Sequence, residues 1–131
     1  MSLPITTSSA TILGFWLVIL SIRVVGARRT ASVSLGDGGD QTLSRRIRAQ
    51  GNLSEYAPLG LILIFLPEAQ AGSTWLLAAS AAFFVVGRLA HGYALSFTES
   101  NAIARMSGMI MTFTGLMALA ALNLWVLLSH S

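Results

Sequence analysis

The fold turns on one stretch, Arg45-Arg46-Ile47-Arg48-Ala49-Gln50-Gly51-Asn52-Leu53-Ser54-Glu55-Tyr56-Ala57-Pro58. It runs straight into an apolar segment, Ala57 to Leu66, that only a membrane or a deep core accommodates. At 3.6 residues per turn, Arg45, Arg48, Asn52, Glu55 and Tyr56 fall on one helical face. That face carries cations first, then an amide, then a carboxylate and a phenol. A charged stripe on a membrane helix is costly, so it is expected to face a bundle interior or a wet cavity. Such a face suits a small ligand that carries both acidic groups and an amine.

Composition supports a membrane setting. Of 131 residues, 54% are hydrophobic and 10% charged, whereas a soluble domain carries about a quarter charged residues. The expectation is one integral membrane domain over residues 1–131, with the lipid bilayer and not nucleic acid as its surroundings. There is no cysteine, which excludes disulfides, thiolate metal sites and a protein thiol nucleophile. Thiol chemistry would need a thiol brought by a ligand, and no metal site is expected. The formal charge is +3, and all eight cations are arginine. Arginine forks suit fixed recognition of carboxylates, although the codon bias of a GC-rich genome gives the same composition. The segment Met1 to Ala10 lacks the basic region of a signal peptide, so the first apolar run reads as a retained span.

From the central stretch a second span extends roughly over Leu43 to Glu68. At about 39 Å it exceeds the hydrocarbon core, so its arginine end is expected to project into water. Pro58 deprives the Ser54 carbonyl of its helical donor and is expected to kink the helix just past Glu55. On the N-terminal side, a first span runs roughly from Ile5 to Ala27 and ends at Arg28 and Arg29. Arg23 interrupts it and reads as snorkelling to the interface, with a packing or ligand role as the alternative. Thr30 to Thr42 reads as a flexible link; its glycines are not followed by Lys-Ser/Thr, so no phosphate loop is expected.

On the C-terminal side, Leu66 to Ser73 reads as a short turn. A third span, roughly Thr74 to Phe97, carries Arg88 and His91 one turn apart, followed by Tyr93. A fourth, roughly Ala102 to Leu128, has Arg105 at its entrance and no charge in the 23 residues from Met106. Trp125 and His130 mark its far end. Four spans with tight links predict an all-α, up-down four-helix membrane bundle. Arginines cluster at the first link and flank the third, while the second link has none. The positive-inside rule therefore puts the first and third links in the cytoplasm and both termini on the non-cytoplasmic side. It also gathers Arg28, Arg48, Asn52, Glu55, Arg88, His91 and Arg105 toward one membrane face.

These residues resemble a family. Arg48-Ala49-Gln50-x-Asn52-x-x-Glu55-Tyr56-x-Pro58 looks like the second-helix motif of the MAPEG family, the membrane-associated proteins of eicosanoid and glutathione metabolism. Gly87-Arg88-Leu89-Ala90-His91 resembles the third-helix motif of its microsomal prostaglandin E synthase branch, and Ala27-Arg28-Arg29 is similar to leukotriene C synthase. The resemblance implies a homotrimer of four-helix protomers in a bacterial inner membrane, with glutathione bound between neighbours near the cytoplasmic face. It implies Arg48, Asn52, Glu55, Arg88 and His91 as ligand contacts, with Glu55 meeting an amine, and Arg28, Gln50 and Tyr56 at further matching positions. Arg105 fits the catalytic arginine that begins the fourth helix, with a one-residue difference in the preceding link. Where the family has a tyrosine one turn after the histidine, this sequence has Leu95. Tyr93, a further candidate contact, stands about 200° round the helix from it.

The implied activity is conjugation of the glutathione thiolate to a hydrophobic small-molecule electrophile arriving from the bilayer, or reduction of a lipid peroxide. Two rival readings stand beside it. A small multidrug exporter has the same size and span number, but its coupling carboxylate belongs in the first span, which here has none. A non-catalytic ligand-binding or scaffold member would keep the fold without turnover.

Overall fold

A computed structural model of the chain describes residues 2–129, so His130 lies outside the described residues. Four α-helices follow one another: α1 (Pro4–Ala31), α2 (Gln41–Ala71), α3 (Trp75–Phe97) and α4 (Ala102–Ser129). No strand occurs among the described residues. Helices α1, α3 and α4 are each long and apolar enough to cross a membrane. Helix α2 is the longest, at 31 residues, but Arg45, Arg46, Arg48 and Glu55 make its first half polar. The expectation of four spans is thus met by three helices on composition alone, with α2 packed alongside them.

The arrangement has a centre and two flanks. Helices α2 and α3 each touch the other three, whereas α1 and α4 do not touch each other among the described residues. The core that joins them contains Leu13 and Leu20 from α1, Leu53 and Ile64 from α2, Leu77 and Phe84 from α3, and Leu119 from α4. The seam between α3 and α4 is the tightest. A Cβ added at Gly87 would lie 2.7 Å from the Thr112 nitrogen and 2.8 Å from the Gly108 carbonyl oxygen. One added at Gly115 would lie 2.6 Å from the Phe84 nitrogen. Backbone meets backbone there, as small residues allow between membrane helices.

Helix α2 runs through both of its prolines without interruption. The expected turn at Leu66 to Ser73 is therefore helical as far as Ala71, and only then does Gly72, at φ 80°, end the helix. The ring of Pro67 keeps a helical φ but offers no N–H to the Leu63 carbonyl. Asn123 of α4 fills that place: its Nδ2 donates to the Leu63 carbonyl at 2.8 Å and to the Leu119 carbonyl at 2.8 Å. A neighbouring helix thus satisfies the carbonyl that proline strands, as an apolar medium requires.

Polar clamps tie α1 down at both ends. Leu3, its N-cap, offers no side-chain hydrogen bond. Glu68 of α2 supplies it instead, accepting from the Ile5 nitrogen at 2.9 Å, the Thr6 nitrogen at 2.7 Å and the Thr6 hydroxyl at 2.6 Å. A carboxylate at a helix N-terminus meets both the free amides and the positive end of the dipole. At the other end Arg23 donates to the Ser96 carbonyl from Nη2 at 2.6 Å and to the Ser96 hydroxyl from Nε at 2.9 Å. Its guanidinium also lies 3.7 Å from the centroid of the Phe97 ring. Arg23 therefore closes the C-terminal turn of α3 and does not simply snorkel. Nearby, Arg45 Nη1 donates to the Glu99 carbonyl and Arg46 Nη1 to the Arg23 carbonyl at 3.2 Å. The first and third links accordingly share one end of the bundle, as an up-down topology demands.

Candidate functional site

Arg88 sits at the centre of the bundle, 1% exposed. Its five N–H groups are all donors, so each neighbour must accept. Nε donates to the Thr112 hydroxyl at 2.9 Å, Nη2 faces the Met109 sulfur at 3.0 Å, and Nη1 donates to Asn52 Oδ1. The Tyr56 ring covers the guanidinium at 4.7 Å and tilts against Phe113 on α4. These partners come from α2 and α4, and all of them are neutral. The cation is solvated by hydrogen bonds and a π face rather than by a counter-charge.

A second polar group faces the other way. Arg48 and Glu55 form an ion pair at 3.5 Å on the outer surface of α2, their side chains 59% and 57% exposed. The single polar face expected of α2 is therefore divided. Asn52 and Tyr56 turn inward to Arg88, while Arg48 and Glu55 turn outward. Tens of degrees around a helix separate these directions, which is enough to put one residue in the core and its neighbour on the surface.

The remaining candidates are placed as follows. Arg105 is exposed in the first turn of α4, where the Asn101 side chain accepts from the Ala104 nitrogen at 3.0 Å. A cavity of about 90 Å³ beside it is also lined by Arg45, Leu95 and Glu99. His91 is buried on α3, its backbone pressed against Gly108. Gln50 does not join the group, because its amide donates to the Ser21 hydroxyl at 3.1 Å and so faces α1. Arg28 donates to the Gly36 carbonyl at 2.7 Å and holds the first link. Tyr93 is half exposed and stacks on Phe97, which stacks in turn on Trp16 of α1. It belongs to the α1 flank and not to the Arg88 group.

Sequence reasoning missed Thr112 and Met109, which hold Arg88. Their one sequence signal was spacing: Arg105, Met109 and Thr112 stand at i, i+4 and i+7 and so share a face of α4. It also missed Glu68 as a buried cap. The clue there was a helix beginning at Pro4 with no capping residue before it.

The chain is similar in sequence to known membrane proteins. Residues 6–125 match the MAPEG family. Inner membrane protein YecN of Escherichia coli (strain K12) is 34% identical over 109 residues, covering 83% of this chain and 82% of that protein. YecN of Escherichia coli O6:H1 matches over the same shares at the same identity. With the family match running through all four helices, and Asn52 and Tyr56 of the second-helix motif set against a buried arginine, this chain belongs to the MAPEG family of membrane proteins.

Proposed function

We propose that the chain is an inner-membrane, glutathione-dependent transferase that conjugates the thiolate to a hydrophobic electrophile or reduces a lipid peroxide, working as a homotrimer with both termini outside the cytoplasm. The observation that supports this most is the outward Arg48–Glu55 pair. A guanidinium and a carboxylate on the outer face of a membrane bundle need water, a polar ligand or a neighbouring copy to cover them. Arg48 suits a carboxylate as a fork, and Glu55 suits an ammonium. Across Arg48, Arg88, Arg105 and Glu55, positive charge exceeds negative by two. Two carboxylates, an ammonium and an ionised thiol carry the opposite surplus.

The two flanks support assembly. Arg28 on α1 and Arg105 on α4 belong to helices that do not touch within one protomer. A boundary between copies brings such helices around one ligand. Arg105 would hold developing negative charge at the start of α4, where the helix dipole has the favourable sign. Lowering a thiol pKa by about two units takes roughly 2.7 kcal/mol of preferential thiolate stabilisation. Glutathione, when bound, supplies the sulfur that bonds to the electrophile. The second reading, a binding or scaffold protein without turnover, draws on the Arg88 network being complete within the chain.

The test is calorimetric titration of glutathione into the detergent-solubilised protein beside Arg48→Ala and Glu55→Gln. Saturable binding that both variants lose supports the reading. No binding by folded wild type would overturn it. Arg105→Ala then separates the two readings: retained binding with turnover against a chloronitrobenzene cut about a hundredfold marks an enzyme. Wild type that binds but never turns over marks the scaffold.

A further inference from the structure

We propose that Thr112, Arg88 and Asn52 form a positioning relay, in which Arg88 never touches the ligand and acts by aiming the Asn52 amide. The inference rests on the glutathione reading and goes beyond it by removing Arg88 from the ligand contacts and adding Thr112 to the machinery.

The relay starts on α4. The Thr112 hydroxyl donates to the Gly108 carbonyl at 2.7 Å, which fixes its rotamer and turns a lone pair toward Arg88 Nε at 2.9 Å. Thr112 is fully buried. The glycine contacts at Gly87 and Gly108 hold α3 and α4 too close for the bond to slip. Anchored through Nε, the planar guanidinium has one orientation, with its central carbon 4.7 Å from the centroid of the Tyr56 ring. That orientation aims Nη1 at Asn52.

The last link follows from donor and acceptor count. A guanidinium has no acceptor, so the Asn52 atom facing it must be the carbonyl oxygen. Without Arg88 the amide could flip at little cost. With Arg88 in place the oxygen is held inward and Nδ2 becomes the end of the amide left for a ligand. Asn52 stands four residues after Arg48 and three before Glu55, about one helical turn from each member of the outward ion pair. It is a fixed neutral donor, backed by a buried positive charge, and it suits an anionic acceptor.

Three variants test the relay, read by glutathione calorimetry and by thermal unfolding of the full-length solubilised protein. Thr112→Val keeps the shape and removes the acceptor; it is expected to weaken binding about tenfold. Thr112→Ser restores the hydroxyl and is expected to restore binding, which a packing role for the lost methyl would not do. Asn52→Asp is the sharpest. It keeps an acceptor for Arg88 and gives that cation a counter-charge, so the melting temperature is expected to hold or rise. It removes the Nδ2 donor, so binding is expected to fall about a hundredfold.

Wild-type affinity in Asn52→Asp, or no difference between Thr112→Val and Thr112→Ser, overturns the relay and leaves the glutathione reading standing. Absence of glutathione binding by folded wild type overturns both.

Discussion

Glu55 and Glu68 are the two acids of α2, and the molecule treats them in opposite ways. Glu68 is 2% exposed and accepts from Ile5, Thr6 and Ser73, the last at 2.7 Å. Glu55 is more than half exposed and has one arginine at 3.5 Å. The first carboxylate is consumed by the fold: its hydrogen-bonding capacity is taken up by groups of the chain itself. The second is nearly idle in the isolated protomer. Burial alone would rank Glu68 as the interesting residue. Satisfaction ranks them the other way, because a group already surrounded by donors has little left for a ligand, whereas a loosely held surface pair exchanges partners at small cost.

Substitutions can break this contrast, and the largest effect belongs to Glu68. Glu68→Ala strands the first amides of α1 and is expected to cost about 3 kcal/mol, read as a lower melting temperature with early hydrogen exchange at Ile5 and Thr6. Arg23→Met tests the opposite clamp of α1. It frees the Ser96 carbonyl and removes the stack on Phe97, for about 1.5 kcal/mol in the same melt. Asn123→Leu leaves the Leu63 carbonyl without its donor and is expected to cost about 1 kcal/mol. Glu55→Gln completes the series with a stability change within about 0.5 kcal/mol and loss of glutathione binding. If Glu55→Gln instead destabilised the protein as much as Glu68→Ala, Glu55 would be a structural acid and the contrast would fail.

The helices were legible because their signals are local. Apolar runs broken by glycine and charge marked each element to within a few residues, and the motif from Arg48 to Pro58 pointed to the family. Partners were not legible, because they depend on how helices turn against one another. Asn52 and Glu55 are three positions apart and read as one face, yet only Asn52 meets Arg88. Gln50, at a position that matches a ligand contact, meets Ser21 across the α1 boundary. Arg23 looked like a residue reaching for water and found a helix end 73 positions away. Glu68 sat where a turn was expected, and the helix instead runs through Pro67 as far as Ala71. The ring of a proline is compatible with a helix whenever another group takes the abandoned carbonyl, and that group, Asn123, lay in a different span.

The pairing of Pro67 with Asn123 has a consequence for descent. Each residue loses by the absence of the other: a proline that strands a carbonyl in an apolar medium, and an amide left with only the Leu119 carbonyl of its own helix. A lineage that replaced Pro67 with an ordinary residue would restore the missing N–H, and Asn123 would then have no reason to persist among apolar neighbours. Across relatives the two positions are therefore expected to change together, and a sequence with one and not the other should show a new polar group close to Leu63.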